Sequence, residues 1–221
     1  MNIAIVYVDI SIPFRQYEKY LPFISEERQE KILQFHFDKD KIISLFTELL
    51  IRNEIFKHLD ISHSDIMFGY NEYGKPYLLN SLDYHFSVSH SGNCIAFVDS
   101  NVLIGIDVEQ ISGRNLKIAK KFFTANEYSF IKSNKDPITA FYRIWTSKEA
   151  YVKMLGLGLN KTFKSFDVFN DLYCCNLIAE QLPEFMLSVC LYNAQSDTVN
   201  ITVVEQKQLI IDVDQYLNSI T

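Results

Sequence analysis

The chain has 221 residues, 48% of them hydrophobic, with 17 Phe and 13 Tyr but only 7 Gly and 5 Pro. That length suits one large domain or two small packed ones with a real core, and no stretch has the composition of a disordered or low-complexity segment. The formal net charge of −6 argues against a general nucleic-acid binder, which would usually be basic.

The stretch from Met1 to Ile10 is apolar but has no basic lead and no small-residue cleavage site. It reads as a first strand over 2–9, not as a signal peptide. No apolar run reaches about 18 residues, so no membrane span is expected. Ser25, Glu26 and Glu27 open a polar helix to about Phe35. A longer helix over 39–59, with Asp38 as its cap, has apolar residues at 42, 45, 46, 49 and 50. Asn71 to Gly74 form a turn, with Lys75 and Pro76 after it. Strands are expected at 84–89, 93–99 and 102–110.

A basic helix follows over 115–121. Thr124 and Glu127 have capping-box spacing and start the next helix. Pro137 sits near the first turn of a long helix, about 137–155, ended by Gly156 and Gly158. The remainder, 163–217, alternates as short strands. The four cysteines, Cys94, Cys174, Cys175 and Cys190, match no zinc spacing and read as buried free thiols of a cytoplasmic protein. The whole is an α/β (α+β) chain with antiparallel sheets, dividable near 100–112.

Three segments carry chemistry. Residues 103–109 read Leu-Ile-Gly-Ile-Asp-Val-Glu. Strand alternation points Ile104, Ile106 and Val108 toward a core, and Gly105, Asp107 and Glu109 the other way. Two carboxylates on one face repel unless a cation or water separates them, and the glycine leaves room for something to approach. Mg²⁺ takes one or two such carboxylates plus substrate phosphates. Solvated acids on a half-exposed strand account for the pattern as well.

In the long helix, Trp145, Glu149 and Lys153 fall at i, i+4 and i+8 along one side. A carboxylate beside a lysine suits phosphoryl chemistry, though a surface ion pair has the same spacing. Residues 85–92, His-Phe-Ser-Val-Ser-His-Ser-Gly, make a polar strand end fit for phosphate contacts. The nucleophile elbow of the α/β-hydrolases is missing, which disfavours a serine hydrolase. Arg114, Lys117, Lys120 and Lys121 have no acid among them.

Together and in order, these segments resemble the phosphopantetheinyl transferases of the surfactin-synthetase-activating type. The pieces are Gly74-Lys75-Pro76, Phe86 to Gly92, Ile104 to Glu109, Phe122-Phe123 through Glu127, and Trp145, Lys148, Glu149, Ala150 and Lys153. The likeness extends more loosely to 28–52 and Phe163–Phe169.

The resemblance implies two similar α/β halves, 1–103 and 104–221, related by a pseudo-twofold axis. Each would pack an antiparallel sheet on helices, with coenzyme A in the cleft between them. It implies transfer of 4′-phosphopantetheine to a serine of an apo carrier protein of nonribosomal peptide, polyketide or fatty acid synthesis, with release of 3′,5′-ADP.

Asp107, Glu109 and Glu149 would hold Mg²⁺, with Mn²⁺ as a substitute. Glu149 would take the serine proton, and Lys153 would serve the departing phosphate. Arg28, Lys31, Ser44, Gly74, Lys75, Pro76, Ser89, His90 and Lys153 would bind coenzyme A. Arg114, Lys117 and Lys121 would dock the acidic helix of the carrier. Glu127 stands at an acidic position of the family, and its capping role explains it equally well. A cytoplasmic monomer acting on neither nucleic acid nor membrane is expected. The competing classes are another Mg²⁺-dependent phosphoryl-transfer enzyme or nuclease, and an inactive coenzyme A- or carrier-binding module.

Overall fold

A computed structural model describes residues 1–81, 83–113, 116–158, 162–172, 174–194 and 199–219. The first strand, β1 (Asn2–Tyr7), is followed by two short 3₁₀ segments over 14–23, which the sequence pattern did not suggest, and by helix α1 (Glu26–Gln34). Helix α2 (Asp38–Leu59) has Phe37, not Asp38, at its N-cap. The Asp38 carboxylate is drawn off to the Phe14 N–H, 3.0 Å away. Ile42, Leu45, Phe46, Leu49 and Leu50 of α2 are all fully buried, as their 3.6-residue spacing predicts.

The hairpin β2 (Phe68–Tyr70) and β3 (Pro76–Leu78) precedes β4 (His85–Ser91), β5 (Cys94–Ser100) and β6 (Ile104–Gln110). Then come α3 (Leu116–Phe122), α4 (Ala125–Ser133) and α5 (Pro137–Leu155). The capping box at Thr124 and Glu127 is present. Asp136 caps α5 through the N–H groups of Ile138 and Thr139, and Gly156 ends it in the left-handed conformation, φ 68°.

The strands β7 (Cys175–Gln181), β8 (Phe185–Tyr192) and β9 (Asn200–Val203) lead to a final helix, α6 (Gln206–Ser219). That helix corrects the expectation of strands to 217. Leu209 and Val213, at i and i+4, are its buried stripe.

The strands form a four-stranded sheet in the order β4-β5-β1-β9 and a three-stranded sheet in the order β6-β8-β7. All pairs are antiparallel except β1 with β9. That pair joins Asn2 to Asn200, so the end of the chain returns to the first sheet.

Alternation sorts the layers. Ala4 and Val6 of β1 pack toward α2, whereas Ile3 and Ile5 face the second sheet. Ile104, Ile106 and Val108 of β6 meet them there, with Leu187 and Val189 of β8. The opposite faces of β6 and β8 are covered by α5. The order is helix, sheet, sheet, helix.

Gly105 sets the last contact. A Cβ built on it would lie 2.1 Å from the Ala150 carbonyl oxygen and 2.3 Å from the Met154 nitrogen. Only glycine lets α5 come this close, so the space left by its missing side chain is filled by helix backbone. Cys94 and Cys190 are buried thiols as expected, but Cys174 is exposed and Cys175 half-buried. Among the described residues no helix is long and apolar enough to cross a membrane.

Candidate active site

Strand β4 meets β6 through serine hydroxyls rather than a backbone ladder. Ser87 Oγ accepts from the Ile106 N–H at 3.0 Å. Ser89 Oγ donates to Asp107 Oδ1 at 2.8 Å. Ser91 Oγ donates to Glu109 Oε2 at 2.7 Å while accepting from the Gln110 N–H at 3.1 Å. Three serines at i, i+2 and i+4 share one face of the strand, so they splice the two sheets and orient both acids. Neither Ser87 nor Ser91 is distinguished by its own residue type in the sequence. Their alternation in Ser-Val-Ser-His-Ser was the available signal.

Close packing of α5 on Gly105 brings its polar side over β6. Lys153 Nζ lies 2.7 Å from Asp107 Oδ1 and 2.8 Å from Ser89 Oγ. Burial pushes the Asp107 carboxyl above its ordinary range, against the pull of Lys153 and Ser89. Glu109 is also raised, by burial first and by the Asp107 charge, with the Ser91 hydrogen bond opposing. Glu149 is pushed up to about 7 by burial and then by Asp107. The three acids of the sequence reading therefore share one electrostatic environment with Lys153.

Among the described residues, no three His, Cys, Asp or Glu side chains converge tightly enough to hold a metal ion. Asp107 Oδ2 is nonetheless buried without a hydrogen-bond partner. Such an orphaned oxygen, beside two further carboxylates whose ionised forms are disfavoured by burial, has the donor chemistry that a hard cation satisfies.

Two cavities flank this centre. One, of about 410 Å³, is lined by Arg28, Lys31, Lys39, Ser44 and His90, among others. Ser44 Oγ is buried there with no partner, and Arg28 is shared with buried Glu48 at 3.3 Å. Burial, and then Lys153, hold the His90 imidazole below its ordinary range. The residues of the looser likeness thus come together with His90. Lys39, which lines the same cavity, had no signal beyond its charge.

The other cavity, about 220 Å³, is lined by Gly74, Lys75, Pro76, Ser87 and Lys153. Asn71 builds its turn: Oδ1 accepts from the Tyr73 and Lys75 N–H groups, and Nδ2 donates to the Gly156 carbonyl at 2.8 Å. The Lys75 ammonium is engaged by the Ile104 and Met154 carbonyls at 2.9 and 3.4 Å, and burial brings it down to about 8. Lys75 also lines this cavity.

Glu127 is fully buried on Lys148 at 2.8 Å and completes the capping box with Thr124. Trp145 packs with Phe123, Phe141 and Phe163 and borders Glu109. Phe123 is buried, whereas Phe122 is exposed. Of the basic strip, Lys120 and Lys121 are exposed, Lys117 lies in α3, and Arg114 falls outside the described residues.

Residues 103–203 match the model of the 4′-phosphopantetheinyl transferase superfamily. Residues 13–101 match that of the 4′-phosphopantetheinyl transferase N-terminal region. The chain is 36% identical over 170 residues to 4′-phosphopantetheinyl transferase Sfp of Bacillus subtilis, covering 76% of each chain. It is 39% identical over 145 residues to 4′-phosphopantetheinyl transferase gsp of Aneurinibacillus migulanus, covering 65% of this chain and 60% of that protein. A third relative, the L-aminoadipate-semialdehyde dehydrogenase-phosphopantetheinyl transferase of Candida glabrata, is 30% identical over 200 residues, 85% of this chain and 74% of the other.

Proposed function

Because the chain belongs to the 4′-phosphopantetheinyl transferase superfamily, we propose that it moves 4′-phosphopantetheine from coenzyme A to a serine of an apo carrier protein and releases 3′,5′-ADP. The observation that carries the reading is the set of Asp107, Glu109 and Glu149 with Lys153, mounted on β6 and α5 between two cavities.

The carrier serine oxygen attacks the β-phosphorus of coenzyme A. A new P–O bond forms to the serine, and the bond from that phosphorus to the nucleotide-side oxygen breaks, its electron pair leaving with 3′,5′-ADP. Glu149 takes the serine proton as general base. Lys153 offsets charge on the leaving phosphate from its place beside Asp107.

Asp107, Glu109 and Glu149 would hold Mg²⁺, whose chemistry there is to neutralise charge on the phosphate oxygens. Arg28, Lys31, Ser44 and His90 bind the nucleotide phosphates in the basic cavity. Gly74, Lys75 and Pro76, which line the second cavity, contact the nucleotide, together with Ser89 beside Asp107. Lys117 and Lys121 on α3 dock the acidic carrier, an attraction that weakens with salt.

The test is the intact mass of an apo carrier incubated with the chain, coenzyme A and Mg²⁺. Gain of one phosphopantetheine group is expected. An unchanged carrier, with a known transferase as positive control, would refute the reading.

A further inference from the structure

Every residue of α2 from Ile42 to Ile55 is buried, yet the helix carries a polar stripe. Ser44, Glu48 and Arg52 fall at i, i+4 and i+8, along one side. The stripe begins at the basic cavity, which Ser44 lines with Arg28, Lys31, Lys39 and His90. Glu48 lies one turn further along α2.

The buried Glu48 carboxylate gathers groups from three places. Its Oε1 accepts from the Ser25 N–H, just before α1, at 2.9 Å. The same oxygen accepts from Arg52 Nε at 2.9 Å. Its Oε2 lies 3.3 Å from Arg28 Nε on α1. Glu48 therefore fixes the start of α1 and the side chain that α1 sends into the cavity.

Charge counting separates the two guanidinium groups. Arg52 answers the Glu48 charge in the interior, and its Nη1 donates to the carbonyls of His63 and Ile66 at 3.0 and 3.2 Å. Arg52 is thereby committed to the fold. One carboxylate against two guanidinium groups leaves one positive charge in surplus. Arg28, with its side chain 22% exposed, carries that charge to the cavity. Because Glu48 approaches Arg28 at Nε, the pair of terminal nitrogens is left for a second anion, in the planar fork that suits phosphate oxygens.

From this arrangement we infer that Glu48 is a positioning residue for the reaction: it holds Arg28 at Nε and so presents the Arg28 terminal nitrogens to the nucleotide phosphate in the basic cavity. Glu48 acts through Arg28 and not on the substrate. The inference rests on the transferase reading above. The sign of the effect identifies the role. As a bare charge, Glu48 would repel a phosphate, and neutralising it would tighten binding. As the holder of Arg28 it pre-organises the site, and neutralising it weakens binding.

The experiment is isothermal titration of the full chain with 3′,5′-ADP, for wild type, Glu48→Gln, Arg28→Ala and the double variant, with melting temperatures followed alongside. Glu48→Gln keeps the shape of the side chain and should weaken binding about fivefold or more. In the Arg28→Ala background the same substitution should change binding by less than about twofold, because the residue through which Glu48 acts is gone. The melting temperature should fall in both backgrounds, since Arg52 loses its partner in each. Arg28→Lys keeps the charge but puts one ammonium in place of the fork, and should also weaken binding about fivefold or more. It decides the question should Glu48→Gln not fold.

Tighter or unchanged binding by Glu48→Gln overturns the inference. So does a loss of equal size in the Arg28→Ala background, which would mark a purely structural effect. Binding by Arg28→Lys within about twofold of wild type overturns it as well. These outcomes leave the transferase reading intact. Failure of wild type to bind 3′,5′-ADP defeats that reading, and the inference with it.

Discussion

The Lys148 ammonium lies 2.8 Å from the Glu127 carboxylate, and both side chains are completely excluded from solvent. Lys148 also donates to the carbonyls of Phe163 and Phe166, with its charge 4.0 Å from the Phe166 ring centroid. Glu127 accepts from the Thr124 and Val168 N–H groups at 2.9 and 2.8 Å. One ion pair therefore ties α4, α5 and the 163–168 segment together, one residue from Glu149.

Removing one partner strands a buried charge. Glu127→Gln or Lys148→Met alone should cost about 3–5 kcal/mol in urea unfolding. The double variant should cost less than the sum, since no isolated charge remains. Single losses within about 1 kcal/mol of zero would contradict the account.

Gly105 predicts a different failure. The Cβ of Gly105→Ala would meet α5 backbone at 2.1 Å, where no side-chain rotation relieves it. Overpacking of this kind costs about 1–3 kcal/mol. It should also lift α5 from β6, so the rate of carrier modification falls with the melting temperature. A variant as stable and as active as wild type would show that the contact is not required.

His63 gives an acid dependence. Its ring is 5% exposed, stacks on Phe56 at 4.8 Å and packs against Phe23 and Tyr216. Burial, with Arg52 adding, holds its pKa down to about 4. Between pH 6.5 and 4 the unfolded chain binds a proton that the folded chain refuses, so the stability present above 6.5 is lost as pH falls. The loss amounts to about 3 kcal/mol by pH 4. Urea unfolding at pH 7 and 4.5 should show it, and His63→Phe should flatten it.

Glu149 has the opposite sign. Its pKa is raised to about 7, so between about 4.5 and 7 the folded chain keeps a proton that the unfolded chain releases. Stability should fall as pH rises through that window, and Glu149→Gln should remove this part of the slope. The measurement belongs in EDTA, because a bound cation favours the carboxylate and would mask the effect. A slope unchanged by the substitution would contradict the assignment.

The elements that local pattern determines were legible. The α2 stripe at 42, 45, 46, 49 and 50, the faces of β6 and the Gly156 stop of α5 each follow from spacing of 3.6 or 2 or from one capping residue. The pairing of Asn2 with Asn200 was not, because no local signal registers a partner 198 positions away. Gly105 was seen as room on the carboxylate face, but sequence alone did not say that helix backbone would fill it. The contacts of the Lys75 ammonium with the carbonyls of Ile104 and Met154 were not legible, because those residues lie 29 and 79 positions away. At the site, alternation and helical spacing gave each pair of residues, and the fold joined the pairs.

That joining is the central claim, and turnover of an apo carrier by Glu149→Gln and Lys153→Ala, at saturating coenzyme A and Mg²⁺, tests it most directly. The account predicts that both variants stay folded and lose about 10²-fold or more in rate, the scale of a lost acid–base or charge-stabilising group. Near-normal turnover in both would contradict it.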